Sequence, residues 1–299
     1  MGKLSELLNN QELLILDSAM GTELDFRGAN VSLPLWSANA IQENPDLIQK
    51  IHSENIEAGA DIITTNTFRT QRRNFEKADF KPGGKSFTET AYEFTKKAVD
   101  LARNAVTSSG KNVLIAGGIS PIEDCYEPEL TPELDILCTE QNEHIGNLIF
   151  SGVDFLLAET MNNIKEISAV LNQIHQTGYE YCISFVCKNE DELFSGEKIT
   201  DVMKIIDKFN PQVVMTNCIH PDLAEKVLNK LKLLTDRPLG VYCNIGNPDL
   251  FETGKFEVCI SPDEYYNYAV EWKRIGVKVI GGCCGTAHEY IKKLSNLKV

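Results

Sequence analysis

Residues 278–284 read KVIGGCC, an apolar run that ends in two glycines and two adjacent thiols. Apolar residues on consecutive positions describe a strand buried on both faces, as in parallel sheets. Seven earlier runs share that character: LLILDSA (13–19), DIITTNTF (61–68), NVLIAGGI (112–119), DFLLAET (154–160), EYCISFV (180–186), QVVMTNC (212–218) and LGVYCNI (239–245). Each is followed by an amphipathic stretch of helical period, so the chain reads as eight βα units. With the last strand returning near the C-terminus, that count favours a closed (β/α)8 barrel over an open doubly wound sheet. No Pro-rich, Ser-rich or like-charged linker interrupts the series, which predicts one domain over residues 1–299.

The helices carry their own punctuation. Asn44-Pro45 opens one, Pro211 follows one, and Ser261-Pro262-Asp263-Glu264 caps another with acidic residues near its start. Gly59, Gly152 and Gly276 fall just before strands, where helix C-caps belong. The longest connection, SPIEDCYEPELTPELD from position 120, has the length of a functional lid or an insertion.

Composition narrows the function. Hydrophobic residues make up 42% and charged residues 24%, enough for a sizeable core. A net charge of −14 opposes polyanions, so nucleic acid is excluded as a partner. The N-terminus lacks the basic start and apolar stretch of a signal peptide, and no later run approaches the roughly 20 residues that span a bilayer. The expectation is a cytoplasmic protein with no membrane contact. Its nine cysteines are then free thiols, where clustering points to metal or catalysis.

Barrel enzymes place their chemistry at the C-terminal ends of strands. Here those ends are polar: Asp17, Asn66 with Thr67, Glu159 with Thr160, Asn217 with Cys218, Asn244, and Cys283 with Cys284. Neighbours on a regular strand face opposite ways, so Cys283 and Cys284 can meet at one point only where Gly281, Gly282 and Gly285 let the backbone turn. If strands six and eight flank strand seven in a closed barrel, Cys218 lies across one intervening strand, about 10 Å away at the backbone. Side chains reaching inward from both sides close that gap on a metal. Three thiolates with one exchangeable position describe a catalytic zinc site, in which a substrate sulfur is kept deprotonated. Cys125, Cys138, Cys182, Cys187 and Cys259 have no neighbour at metal spacing and read as small hydrophobes. A redox dithiol at Cys283-Cys284 is disfavoured because adjacent cysteines form a strained disulfide. A zinc-buffering or thiol-sensing barrel is the non-enzymatic alternative.

GGCCGT (281–286), the Asn217-Cys218 pair and DSAMGTEL (17–24) resemble the homocysteine S-methyltransferase family. PLWSA (34–38), ADIITTNTF (60–68) and LLAETM (156–161) fall between them in the family's order. The resemblance implies a (β/α)8 barrel and zinc held by Cys218, Cys283 and Cys284. It also implies that Glu159 holds the amino-acid ammonium and that Asp17 with its turn lines the homocysteine pocket. Asn66 and Asn244 are further expected substrate contacts, Asn244 also as a weak donor to the empty site. Ser18 stands where the family commonly has Gly and would narrow the pocket. Tyr242-Cys243-Asn244 replaces the usual Tyr-Pro-Asn; Cys243 is an alternative ligand, a redox-sensitive neighbour or simple packing, with packing favoured. His220, before Pro221, is expected to cap the next helix or line the pocket rather than bind metal. The implied reaction is methyl transfer to the homocysteine thiol, giving methionine. A sulfonium donor, S-methylmethionine ahead of S-adenosylmethionine, is expected because no cobalamin or folate domain is recognisable and the chain ends shortly after the paired cysteines. Service to a separate corrinoid protein is the second expectation.

Overall fold

A computed structural model describes residues 2–247 and 256–298. Eight parallel strands form one sheet: β1 (Leu14–Ile15), β2 (Ile62–Thr64), β3 (Leu114–Ile119), β4 (Phe155–Met161), β5 (Tyr181–Phe185), β6 (Val213–Asn217), β7 (Leu239–Cys243) and β8 (Val277–Gly282). Their order is β1-β8-β7-β6-β5-β4-β3-β2. A parallel bridge from Leu16 to Ile62, with the Asp61 N–H donating to the Ile15 carbonyl at 2.8 Å, joins β1 to β2 and closes the ring. The fold is the expected single-domain (β/α)8 barrel.

Helix α1 (Lys3–Asn10) precedes β1. Helices α2 (Met20–Phe26), α3 (Asn39–Glu43) and α4 (Pro45–Ala58) lie between β1 and β2, and α5 (Arg72–Lys77) with α6 (Phe87–Ser109) follows β2. Strands β3 to β8 are followed in turn by α7 (Leu134–Ser151), α8 (Ile164–Thr177), α9 (Ile199–Ile206), α10 (Pro221–Leu234), α11 (Pro262–Ile275) and α12 (His288–Ser295). The sequence punctuation holds. Pro45 opens α4, Ser261 and Glu264 form a reciprocal capping box on α11, and Gly59, Gly152 and Gly276 end their helices in the left-handed region. Among the described residues no helix is long and apolar enough to cross a membrane.

The period-two alternation of each strand divides the core. Leu14, Leu16, Ile62, Leu114, Ala116, Phe155, Leu157, Val213, Met215, Tyr242 and Val279 pack together inside the barrel, joined by Leu4 and Leu7 of α1. Ile15, Ile63, Ile115, Leu156, Ile183, Val214, Val241 and Ile280 pack outward against the helices. Fully burying each such side chain stabilises the fold by about 1.5–3 kcal/mol. The same alternation decides what reaches the mouth. On β4, inward Phe155 and Leu157 bring Glu159 inward; on β7, inward Tyr242 sends Cys243 outward.

Strands β1 and β2 are shorter than their apolar runs predict. Ladder bonds run on briefly, from the Leu16 N–H to the Ile280 carbonyl at 2.9 Å and from the Thr65 N–H to the Ala116 carbonyl at 3.0 Å; beyond them the Ser18 N–H donates to Asn55 Oδ1 at 3.1 Å and the Thr67 N–H to the Thr65 carbonyl at 2.8 Å. The chain leaves the ladder where the polar mouth residues begin.

Candidate active site

The three cysteines singled out by the sequence meet above the barrel. Cys283 donates to Cys218 with sulfurs 2.8 Å apart, and Cys218 and Cys284 lie 3.5 Å apart. All three sulfurs fall within 4.8 Å of one another. Regular alternation would face Cys218 outward, after outward Val214 and Thr216. Its φ of 56° turns it back over the barrel. A left-handed cysteine costs on the order of 1–3 kcal/mol and persists only where neighbours fix it. Here the Cys218 N–H donates to the Tyr242 carbonyl at 3.0 Å.

On the other side, the paired thiols stand on a turn that only glycine permits. A Cβ on Gly282 would collide with Thr286, whose hydroxyl donates to the Cys283 carbonyl at 2.7 Å. Gly285 has φ +89° and donates its N–H to Thr22 Oγ1 at 2.9 Å. Behind the layer, the Tyr265 hydroxyl donates to the Gly281 carbonyl at 2.7 Å and accepts from the Cys243 N–H at 2.9 Å, tying β7 to β8.

Cys218 is pulled well below an ordinary thiol by hydrogen bonds from Cys283 and Cys284. Donating to it holds those two well above. Tetrahedral zinc–thiolate bonds of about 2.3 Å place sulfurs roughly 3.8 Å apart, so these sulfurs need spread by only a fraction of an ångström to an ångström. Three soft donors, with no fourth protein donor in the group among the described residues, fit a metal that keeps one position open.

The thiols border a cavity of about 270 Å³. Two carboxyls also line it, a buried Asp17 and a half-buried Glu159. Asp17 accepts from the Thr64 N–H at 2.8 Å, and burial raises it to about 7. Glu159 is raised to about 8, first by burial, then by the charges of Asp17 and Cys218. Gly118 makes room for this carboxyl, since a Cβ there would lie 2.8 Å from Glu159 Oε1. Two desolvated acids facing a shared cavity with little compensation are a place for a cation. Trp36, Phe68 and Tyr126 supply the aromatic lining, with Trp36 edge-on to Phe68 at 5.6 Å.

The remaining expected residues divide. Asn66 borders the cavity but spends its amide on the Ser37 carbonyl at 2.9 Å, pinning the segment that carries Trp36. Ser18 also lines it. Asn244 is not among the lining residues; its Oδ1 accepts from the Gly246 N–H at 2.8 Å, shaping a turn. Cys243 packs in the outer layer, fully buried, outside the sulfur trio. His220 caps α10 by accepting from the Asp222 N–H at 3.4 Å. One other group among the described residues has metal-like spacing, Glu23, Glu54 and His288. Arg27 already bonds both of its carboxylates, at 2.7 and 2.6 Å.

Other residues of the mouth carried little signal in the sequence. Tyr126, from the long loop after β3, donates to Cys218 at 3.3 Å. Cys125 and Asp124 of the same loop line the cavity, as does Arg69 after β2. Asn217 Oδ1 accepts from the Thr160 N–H at 3.0 Å and the Ser184 hydroxyl at 2.6 Å, while its Nδ2 donates to Thr160 Oγ1 at 2.8 Å. The polar strand ends flagged Asn217 and Thr160; an isolated loop tyrosine offers no such flag.

The comparisons with known proteins agree with this geometry. The family profile described as homocysteine S-methyltransferase matches residues 14–297. The chain is 30% identical to a homocysteine S-methyltransferase of Escherichia coli, covering 95% of this chain and 94% of the relative. It is 28% identical to homocysteine S-methyltransferase YbgG of Bacillus subtilis, covering 99% and 97%. Among solved structures, the metallated form of the E. coli homocysteine methyltransferase MmuM superposes with a TM-score of 0.85 at 26% identity, covering 98% of this chain and 99% of that one. The apo form of the same enzyme superposes less closely, with a TM-score of 0.77. The chain belongs to the homocysteine S-methyltransferase family and is a methyltransferase.

Proposed function

We propose that this barrel methylates homocysteine to methionine, with zinc at Cys218, Cys283 and Cys284 and with a small sulfonium, S-methylmethionine first, as the donor. The observation that carries the reading is one cavity lined both by three convergent thiols and by two carboxyls, Asp17 and Glu159. Zinc bound there would keep the homocysteine sulfur deprotonated near neutral pH and leave one position for it.

The chain's own residues do the rest. Asp17 and Glu159 take the substrate ammonium, which repays the cost of ionising two desolvated acids. Tyr126, donating to Cys218, fixes the orientation of the thiolate nearest the loop. The apolar and aromatic lining excludes water and suits a sulfonium by cation–π attraction. Held in line, the homocysteine thiolate attacks the donor methyl. A new sulfur–carbon bond forms as the sulfonium carbon–sulfur bond breaks, and the electron pair stays on the leaving sulfur. From S-methylmethionine both products are methionine. Alignment within one cavity supplies much of the acceleration, because a bimolecular displacement becomes effectively intramolecular.

Cavity size supports a small donor. About 270 Å³ lies below the roughly 300–1,000 Å³ of pockets for drug-sized ligands, so a folate or corrinoid is poorly accommodated in the conformation described. Service to a separate corrinoid protein is the second reading, favoured only by the open mouth. The test offers homocysteine and zinc-loaded protein S-methylmethionine, S-adenosylmethionine, betaine or methylcobalamin in turn. Methionine from S-methylmethionine above the others is expected. No methionine from any donor would overturn the proposal.

A further inference from the structure

Arg69 is buried, 9% exposed, on the loop after β2, and it lines the cavity. Its Nε has no hydrogen-bond partner among the described residues. Its one ion contact among the described residues is Asp124 at 3.8 Å, beyond hydrogen-bond reach, and its guanidinium lies 5.7 Å from the Phe68 ring. A guanidinium carries five N–H donors, and burying them unmatched is costly. Carboxylates are not scarce nearby. Arg73 binds Glu140 through two bonds of 2.8 and 2.6 Å, and Arg72 bonds Glu143 at 3.1 Å. Arg69 alone of the three points into the cavity without such a partner.

Charge makes the same case. Among the described residues that line the cavity, Arg69 is the one basic side chain, against the carboxyls of Asp17, Asp124 and Glu159. An α-amino acid brings an ammonium and a carboxylate together. Asp17 and Glu159 match the first, and a planar fork of buried N–H donors matches the second. We infer that Arg69 is the carboxylate anchor of the cavity, taking the α-carboxylate of an amino-acid substrate in place of its loose contact with Asp124. This rests on the amino-acid methyl-transfer reading above and assigns the group that selects a full amino acid over its amine counterpart. Acceptor and donor in that reaction both carry the carboxylate, and the experiment separates them.

Calorimetry on zinc-loaded wild type, Arg69→Lys and Arg69→Gln would compare methionine with its decarboxylated counterpart, 3-(methylthio)propylamine. Wild type is expected to prefer methionine by about 100-fold, as for a buried charge pair. Arg69→Gln should bind both alike and Arg69→Lys should recover part of the preference, a pattern that general loosening of the fold does not produce. Steady-state kinetics of the same variants then show whose carboxylate is held. A rise in KM confined to homocysteine assigns the anchor to the acceptor, and one confined to S-methylmethionine assigns it to the donor. If folded Arg69→Gln makes methionine and keeps the full preference, the anchor is overturned while the methyl-transfer reading stands. If wild type binds no amino acid and forms no methionine, both are overturned.

Discussion

Glu159→Gln is expected to stabilise the ligand-free protein at alkaline pH while weakening its hold on an amino acid. Burial and the neighbouring charges of Asp17 and Cys218 raise this carboxyl from 4.5 to about 8. The folded chain therefore keeps a proton that the unfolded chain releases, and stability falls as pH climbs through that window. Below pH 4.5 both states hold the proton and the contribution is fully present; above about pH 8 both have released it and the contribution is lost. At about 1.4 kcal/mol per pH unit the window is worth at most about 5 kcal/mol. Screening through the open mouth brings the working figure to roughly 2–3 kcal/mol. Glutamine has the same shape and no charge to desolvate, so it escapes that loss.

Differential scanning calorimetry of both proteins from about pH 5 to about pH 9 reads the effect directly. A chain of this size gains roughly 2 °C per kcal/mol, so the variant's melting temperature should rise relative to wild type by about 4–6 °C across the window. Methionine added above pH 7 should stabilise wild type and do little for the variant, because only the ionised acid pairs with an ammonium. A melting difference that stays constant with pH would show that Glu159 is a neutral hydrogen-bonding group. Equal stabilisation of both proteins by methionine would refute its role in holding the ammonium.

Asn217→Ala strips partners from the Thr160 N–H, Thr160 Oγ1 and the Ser184 hydroxyl, all buried, and should cost about 2–4 kcal/mol in denaturant unfolding. Tyr126→Phe removes the hydroxyl that donates to Cys218 and should weaken zinc about tenfold in competition with a chromogenic chelator, with the fold intact. Cys243→Ala should leave zinc stoichiometry unchanged by elemental analysis, since that thiol packs behind the strands; a loss of zinc would return it to the metal shell. Gly282→Ala drives a methyl into Thr286 and should lower both melting temperature and zinc content, whereas normal zinc content would show that the turn tolerates a side chain.

All eight strands were legible in the sequence because parallel strands buried on both faces leave unbroken apolar runs. The strand ends were overdrawn for the same reason. LLILDSA reads as strand through Ala19, but past Asp17, whose carbonyl still accepts from the Gly282 N–H at 3.0 Å, the Ser18 N–H turns to Asn55, so the ladder stops short of the end of the run. The three thiols were legible because paired cysteines between glycines make little sense as core. Tyr126 and Arg69 were not. Their reach into the cavity depends on how the loops after β3 and β2 fold over the mouth, and no local pattern encodes a contact across 92 residues between Tyr126 and Cys218. Asn244 shows the converse: a polar strand-end residue can serve its own turn.

The least legible feature of the mouth is also what makes its chemistry possible. A strand can aim only alternate residues inward, yet this site needs Asn217 and Cys218 from one strand end. The structure meets that need with left-handed backbone at Cys218, φ 56°, and at Thr160, φ 59°, next to the carboxyl of Glu159. Neither residue type favours that region, so each conformation costs free energy that its surroundings must offset. The side chain of Asn217 bonds both the backbone and the side chain of Thr160, and Asn217 directly precedes Cys218 in the chain. One amide thus braces the turn beside the candidate ammonium ligand and adjoins the turn that carries the candidate metal ligand. The distance between the substrate's sulfur and its amino group is fixed by its own covalent chain, so a site that grips both ends must hold Cys218 and Glu159 in fixed relation. Asn217, fully buried between them, is placed to hold that spacing.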